Sequence, residues 1–327
     1  MKMTTLLLAL GGSLSVAAGA MALAVAFGGP AQPAPMQSIS NPFKTVDFSN
    51  VPPAQRFAAR DGVQLAYRVY PAGANTSTRS VVLIHGSSSR SNSMHPMAKG
   101  FAQAGYTAYA LDVRGHGESG TRGQIAYIGQ LEDDLEDFMK AVKPAGRKTL
   151  VGFSSGGGFA LRFAGDARQK LFDAYLLLSP FLHQDAATYR PNSGGWTTVG
   201  LPRIIGLIIL NRLGITTFND LPVIAFALDA EAQRSLTPQY SFSLAQNFRP
   251  RHDYRVNIMA ARQPMEVLVG QSDEVFYADR FAAVFGEAGR DVPVTIVPET
   301  GHMDLVLKPA AIQATVSASE RLATGSN

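Results

Sequence analysis

Short hydrophobic runs alternate with longer amphipathic stretches through most of the chain. Val63–Tyr70 alternates apolar and polar residues, which predicts an early antiparallel strand. A short apolar run predicts a buried strand over residues 81–84, and further strands are predicted over residues 107–111, 149–153, 174–179, 266–269 and 294–297. Apolar spacings of three and four predict helices over 94–104, 125–142, 278–287 and 309–322, and one that begins at Ser154 or Ser155. This alternation is typical of an α/β fold with a mostly parallel central sheet flanked by helices.

One stretch, from about residue 183 to 262, breaks the alternation. It is too long for a plain loop, so we expect an inserted, mostly helical cap. Leu201–Leu213 and Leu221–Leu228 are its strongly apolar parts. Packing inside the cap is the favoured explanation for them, and a surface that faces an acyl chain or a membrane is the alternative.

The N-terminal segment is apolar from Leu6 to Phe27, and no charged residue lies between Lys2 and Lys44. A helix over residues 6–27 would be roughly 33 Å long, enough to span a bilayer core. We therefore predict a transmembrane anchor or signal peptide over 1–28, a Pro-rich linker over 29–43 and a folded domain over 44–327. Lys2 predicts a cytoplasmic N-terminus with the domain outside. Cleavage near Ala18-Gly19-Ala20 would instead give a secreted or periplasmic protein.

Composition excludes several classes of function. Lys and Arg number 29 and Asp and Glu number 25, so the net charge is only +4, and no basic block suggests a nucleic-acid partner. The chain has no cysteine, which excludes disulfides, thiolate catalysis and cysteine-ligated zinc. The sequence does not predict the oligomeric state.

The segment Gly152-Phe153-Ser154-Ser155-Gly156 follows a predicted strand and precedes a predicted helix. This is the G-x-S-x-G nucleophile elbow in the context that the motif requires. Small residues on both sides let the backbone turn sharply, so the serine hydroxyl stands clear of the sheet. Ser154 is the candidate nucleophile, because Ser155, although chemically equivalent, is not centred in the motif.

A serine nucleophile needs a base, and the base needs a carboxylate that orients it. With this elbow the chain order is serine, acid, histidine. His302 follows the last predicted strand and is the candidate base. Asp273 follows the preceding strand and is the favoured acid, with Glu274 and Asp304 as alternatives.

Two backbone N–H groups are expected to hold the oxyanion of the tetrahedral intermediate. One belongs to Ser155, directly after the nucleophile. The other is expected from the loop His85-Gly86-Ser87 after the third strand, with Ser87 as the donor. For His85 we favour a structural role inside this loop.

These motifs resemble those of the α/β-hydrolase superfamily. His85-Gly86, the segment Arg114-Gly115-His116-Gly117-Glu118-Ser119 and the elbow occur in the family's order, followed by Asp273 and Gly301-His302. The second segment makes the chain most similar to the monoacylglycerol lipase and lysophospholipase branch, where it is a structural loop, so His116 is not assigned to catalysis. Phe153 departs from that branch, which often has histidine before the nucleophile.

The resemblance implies a serine hydrolase that cleaves carboxylic esters, with a cap over the acyl site. We predict catalysis without a metal or organic cofactor, on a small-molecule ester or lipid-like substrate. Three alternatives stay open: an amidase like the serine aminopeptidases, a perhydrolase or haloperoxidase, and a non-catalytic binding module on a membrane anchor.

Overall fold

The computed structural model describes residues 2–36, 41–73, 78–191 and 195–324, with side chains from residue 15 onward except that of Asn41. Parts of each predicted segment fall outside the described residues: position 1 of the anchor, positions 37–40 of the linker, and positions 74–77, 192–194 and 325–327 of the folded domain, of which 192–194 belong to the cap. Side chains 2–14 of the predicted anchor are also outside them.

The described chain contains one large sheet and one small one. The strands are β1 Gln55–Ala58, β2 Gln64–Tyr70, β3 Arg79–Ile84, β4 Thr107–Leu111, β5 Arg147–Phe153, β6 Ala174–Leu178, β7 Thr197–Val199, β8 Pro222–Phe226, β9 Gln239–Ser241, β10 Met265–Gly270 and β11 Val294–Val297. The large sheet has the order β1-β2-β4-β3-β5-β6-β10-β11. β1 and β2 pair antiparallel, as does β2 with β4, and all other pairs are parallel. This confirms the predicted fold class.

Helices connect most of the strands. They are α1 Lys2–Phe27, α2 His95–Gln103, α3 Gln130–Val142, α4 Ser155–Ala164, α5 Leu201–Arg212, α6 Ala232–Ser235, α7 Phe242–Asn247, α8 Tyr254–Ala260, α9 Phe281–Glu287, α10 Asp304–Leu307 and α11 Pro309–Thr324. Short 3₁₀ helices lie at Asn41–Thr45, Ser91–Met94, Gln169–Leu171 and Ala278–Arg280.

The core lies on both faces of the large sheet, and β3 shows how the sequence produces it. All of Val81–Ile84 is buried, but Val82 and Ile84 pack in one cluster and Val81 and Leu83 in the other. Successive side chains of a strand point to opposite faces. An unbroken apolar run is therefore what a strand covered by helices on both faces needs.

Helix α3 begins five residues later than the apolar spacing predicts. Gly129, at φ 111°, turns the chain sharply just before it. The Asn247 side chain accepts the N–H groups of Gly129 and Leu131, and the Gln130 side chain accepts that of Ala126. These contacts satisfy amides at the start of the helix, and Asn247 belongs to the cap, so residue spacing alone did not indicate them.

The predicted cap contains helices α5–α8, and it also contains a small sheet that the prediction missed. β8 pairs antiparallel with β7 and β9. Residues 222–226 are therefore a strand, within a segment that the sequence predicts to be mostly helical. Hydrogen bonding to strands more than ten residues away decides the outcome, and such partners leave no local signal.

The C-terminal end of α1 packs against α5 of the cap. Arg203 is buried and donates from Nε to the Val25 carbonyl and from Nη2 to the Ala26 carbonyl, both at 2.7 Å. The last carbonyls of a helix lack partners within it, and a cation stabilises them. In the part of the chain whose side chains are described, no helix is long and apolar enough to cross a membrane.

Candidate active site

Ser154 lies in a strained turn between β5 and α4, as the motif predicts. Its backbone has φ 55° and ψ −118°, which is sparsely populated for a non-glycine residue. A Cβ on Gly152 would lie 2.2 Å from the Gly156 carbonyl oxygen, and one on Gly156 would lie 2.3 Å from that of His85. Only glycine fits at both positions, so the sequence at the elbow is dictated by close backbone packing.

The structure brings Ser154, His302 and Asp273 into one hydrogen-bonded series. His302 Nε2 lies 3.1 Å from Ser154 Oγ, and His302 Nδ1 lies 2.9 Å from Asp273 Oδ2. All three residues follow the carboxyl ends of parallel strands, β5, β11 and β10, which meet at the same edge of the sheet. The neutral imidazole can carry its proton on Nδ1, toward the carboxylate, and accept one from the serine at Nε2.

Asp273 is buried, yet it is held in its ionised form. Burial disfavours the charge, but the nearby His302 and several hydrogen bonds outweigh this and lower the pKa of Asp273 below its ordinary value. Ser179 donates to Oδ2 at 2.7 Å, and the N–H groups of Val275 and Phe276 donate to Oδ1 at 2.8 and 2.9 Å. The site therefore presents a fixed negative charge to the imidazole.

The two alternative acids contact the backbone of the histidine loop and not the imidazole. Glu274 accepts the N–H of His302 at 2.8 Å. Asp304 accepts the N–H of Gly301 at 3.0 Å and pairs with Lys308 at 2.9 Å. Their geometry suits them to shaping the loop, which leaves Asp273 as the carboxylate on the ring.

The two predicted oxyanion donors lie on adjacent segments. The side chains of Ser87 and Ser155 hydrogen-bond to each other, which ties the β3 loop to the start of α4. His85 Nδ1 lies 2.8 Å from the Gly86 carbonyl oxygen, and His85 Nε2 accepts the Val113 N–H at 3.2 Å. Because the C=O and N–H of a trans peptide point in opposite directions, His85 turns the Ser87 N–H away from itself. This is the structural role favoured for His85.

The remaining histidines contact other residues than the nucleophile, and His95 Nδ1 lies 2.9 Å from the Tyr70 hydroxyl. His116 is fully buried and contacts Tyr240 of the cap, at 2.6 Å. His183 and His252 stack edge to face on each other. Among the described residues, no group of three or more His, Asp or Glu side chains could hold a metal ion.

A cavity of about 490 Å³ opens over Ser154 and His302. Its large apolar lining residues come from the segment before β1, from the sheet side and from the cap: Phe43, Phe48, Phe153, Trp196, Leu228, Leu236, Met303 and Val306. Its charged lining residues are Lys44, Arg90, Asp229 and Glu231. The cavity thus joins the reactive serine to an apolar volume with charges of both signs.

Sequence reasoning missed Ser179, the amides of Val275 and Phe276, and Tyr240. Ser179 lies 94 positions from Asp273, and Tyr240 lies 124 positions from His116. Ser179 did carry one weak signal, because it directly follows a buried strand next to β5. Tyr240 carried none.

Known proteins share both sequence and fold with this chain. A monoacylglycerol lipase of Mycolicibacterium smegmatis is 34% identical over 114 residues, which cover 33% of this chain and 39% of that protein. A soluble variant of monoglyceride lipase from Saccharomyces cerevisiae superposes with a TM-score of 0.64 at 18% identity, covering 86% of this chain and 97% of that one. A membrane phospholipase A superposes with a TM-score of 0.56 at 18% identity and covers 98% of each chain.

The curated relative matches over only about two-fifths of its own length, and the two solved structures establish the fold alone. A family model described as serine aminopeptidase, S33, matches residues 75–306, most of the chain and every candidate catalytic residue. The chain therefore belongs to this family of α/β-hydrolases, as its motifs indicated.

Proposed function

We propose that the protein is a serine hydrolase that cleaves carboxylic esters through an acyl-enzyme. The observation that carries the proposal is the series Ser154–His302–Asp273 beneath an apolar cavity. A hydroxyl becomes a useful nucleophile at neutral pH when a neutral imidazole accepts its proton and a carboxylate stabilises the resulting imidazolium.

In the proposed reaction, Ser154 Oγ attacks the ester carbonyl carbon while its proton moves to His302 Nε2. The carbonyl oxygen becomes an oxyanion, held by the N–H groups of Ser87 and Ser155. His302 then protonates the leaving alkoxide, the ester C–O bond breaks, and an alcohol departs from the acyl-enzyme. His302 then takes a proton from water, which attacks the acyl carbon, and the same proton passes to Ser154 Oγ as the acyl C–O bond breaks, which releases a carboxylic acid and free Ser154.

The apolar lining favours an acyl chain in the cavity. Each methylene moved from water into an apolar site contributes about 0.8 kcal/mol, or roughly a fourfold gain in binding. We expect kcat/KM for p-nitrophenyl esters to rise with acyl length until the cavity is full, and then to fall. A profile that is flat across chain lengths would contradict an acyl site there.

An amidase is the second candidate, because Asp229 and Glu231 line the cavity and suit a substrate with a free amine. The third acidic residue of the cap that could serve, Asp220, is not among the lining residues. Aminoacyl p-nitroanilides measured beside the ester series distinguish the two. We expect ester turnover to exceed amide turnover, and faster cleavage of the nitroanilides would replace the ester proposal with the amidase.

We further propose that the hydrolase domain lies outside the cytoplasm, attached to the membrane through the N-terminal segment, or released there after cleavage. The absence of charge between Lys2 and Lys44 supports this location. So does an apolar surface next to the end of α1, made of exposed residues of the cap: Val199, Leu201, Ile205, Ile208, Ile209, Leu213, Ile215 and Phe218.

Charges in α1 test this attachment. Val16 and Leu23 are 75% and 61% exposed, so Val16→Arg with Leu23→Arg leaves the contact with α5 intact. A charged residue at the centre of a bilayer costs about 3 kcal/mol. In membrane fractionation we expect the double arginine variant to move to the soluble fraction and the matched double alanine variant to stay with wild type. Intact wild-type chain in the soluble cytosol would refute the location.

A further inference from the structure

The cap reaches into the site at the loop that carries the Ser87 N–H. The Thr237 N–H donates to the Ser88 carbonyl at 2.8 Å, and the Ser88 hydroxyl donates to the Thr237 carbonyl at 2.6 Å. Thr237 in turn donates from Oγ1 to the Gly115 carbonyl at 3.0 Å. Ser88 has φ 63°, a conformation that costs energy for a serine and persists only when its surroundings hold it. The cap provides those surroundings.

Tyr240, in β9 of the cap, makes the central contact. Its hydroxyl accepts the Ser88 N–H at 2.5 Å and lies 2.6 Å from His116 Nε2. One buried oxygen of the cap therefore holds the backbone N–H of Ser88, the residue directly after Ser87, and contacts the His116 ring.

The direction of these hydrogen bonds follows from the donors and acceptors present. His116 Nδ1 faces the Val113 and Arg114 carbonyls at 3.2 and 3.3 Å, so it carries the ring proton, and Nε2 accepts. Burial lowers the pKa of His116 well below its ordinary value, which keeps the ring neutral. The single proton of Tyr240 therefore goes to His116, and the tyrosine oxygen accepts the Ser88 N–H.

The Ser87 and Ser155 side chains make a second link in the same region. Their hydroxyls hydrogen-bond to each other, which ties the loop after β3 to the start of α4. The loop is therefore held at Ser87 by Ser155 and at Ser88 by Tyr240.

We propose that Tyr240 is a positioning residue of the oxyanion hole, which makes the docked cap a part of transition-state stabilisation. The inference rests on the proposed serine hydrolase mechanism. The Tyr240 hydroxyl holds the Ser88 N–H, and because Ser88 directly follows Ser87, it fixes the backbone on one side of the expected oxyanion donor. A mispositioned donor weakens binding of the oxyanion and leaves binding of the neutral substrate unchanged.

The test is Tyr240→Phe, with Tyr175→Phe as the matched control. Tyr175 is also a fully buried tyrosine, and its hydroxyl donates to the Gln169 carbonyl at 2.7 Å, on an element that does not line the cavity. Complete loss of one oxyanion donor costs about 10²–10³ in kcat, so a displaced donor is expected to cost about tenfold. For a p-nitrophenyl ester we expect Tyr240→Phe to lose that factor in kcat with KM within about twofold, and Tyr175→Phe to keep both constants.

Inhibition by a trifluoromethyl ketone provides a second measurement. Its Ki would not change if Tyr240 only stabilised the fold. Its adduct with the nucleophilic serine carries an oxyanion, so its Ki is expected to rise in Tyr240→Phe by the same factor by which kcat falls. The Ki of a product-like alcohol, which forms no oxyanion, is expected to stay constant. Equal rises in both inhibition constants, or in KM, would overturn the proposal.

A double-mutant cycle with Ser88→Ala tests the contact itself. The Tyr240 hydroxyl holds the Ser88 N–H, and the Ser88 hydroxyl donates to the Thr237 carbonyl, so both contacts fix one residue of the loop to the cap. Because losing either contact releases the same residue, the losses in kcat are expected to be less than additive. Fully additive losses, or a Tyr240→Phe variant that matches Tyr175→Phe, would overturn the inference. If Tyr240→Phe does not fold, Ser88→Ala alone is expected to show the same split between kcat and KM. Should Ser154→Ala retain full activity, the proposed function itself fails, which is a distinct result.

Discussion

Replacement of Ser154 by alanine is expected to lower kcat for a p-nitrophenyl ester by about 10⁴-fold or more. In the proposed mechanism the substitution removes the atom that forms the acyl bond, while the proposed oxyanion donors and the cavity stay in place. A residual rate over water is expected, because those donors act on hydroxide or water as well. The measurement is ester hydrolysis together with covalent labelling by a fluorophosphonate, which is expected to vanish.

Two further serine variants make this result specific. Ser155→Ala is expected to retain labelling, since Ser155 Oγ hydrogen-bonds to Ser87 and its contribution to the oxyanion is a backbone N–H that alanine keeps. Ser243→Ala removes a buried hydroxyl of α7 that does not line the cavity, and is expected to match wild type. Labelling that survives in Ser154→Ala, or disappears in Ser155→Ala, would exclude Ser154 as the nucleophile.

Local sequence patterns were sufficient to predict a residue's role where that role depends on the residue's neighbours in the sequence. The elbow could be located because its geometry needs Gly152 and Gly156 beside the serine, and those positions are adjacent in sequence. His302 and Asp273 could be proposed because each follows a predicted strand, and parallel strands end at the same edge of a sheet. The central strands could be predicted because each is largely apolar, as a strand covered by helices on both faces requires.

The parts that were missed depend on contacts between distant segments. Strand β8 owes its structure to β7 and β9, and the start of α3 is shifted by Asn247 of the cap. Tyr240 belongs to no motif, and its hydrogen bond with the Ser88 N–H forms only because the cap packs against that loop. The cap and the site thus pack against each other through residues that are far apart in the sequence. Local sequence patterns do not indicate such contacts.

The electrostatics of Asp273 has a consequence for stability. Its pKa in the folded protein is below the ordinary carboxyl value, so its ionised form contributes stability above that value. This contribution is lost as the pH falls through the lowered pKa of the folded state. In acid, below about pH 4, the melting temperature of Asp273→Asn is therefore expected to fall less steeply than that of wild type.

Asp273→Asn is expected to lower kcat by about 10⁴-fold while the protein stays folded. Asparagine can fill the same space and accept the same N–H groups of Val275 and Phe276 through its carbonyl oxygen. Its amide then offers a donor to His302 Nδ1, so the ring holds its proton on Nε2 and no longer accepts one from Ser154. The lost negative charge also leaves the imidazolium without a partner during the reaction.

The alternative carboxylates provide the controls for this substitution. Asp304→Asn alters a contact with the Gly301 N–H and an exposed ion pair with Lys308, so kcat is expected to stay within about twofold of wild type. Glu274→Gln retains a carbonyl oxygen for the His302 N–H and is expected to lose only a few-fold. The three variants are compared by kcat and melting temperature under one condition. A loss in either control that matches the loss in Asp273→Asn would assign the orienting carboxylate elsewhere, because it would mean that the contact with the imidazole ring is not what sustains the rate.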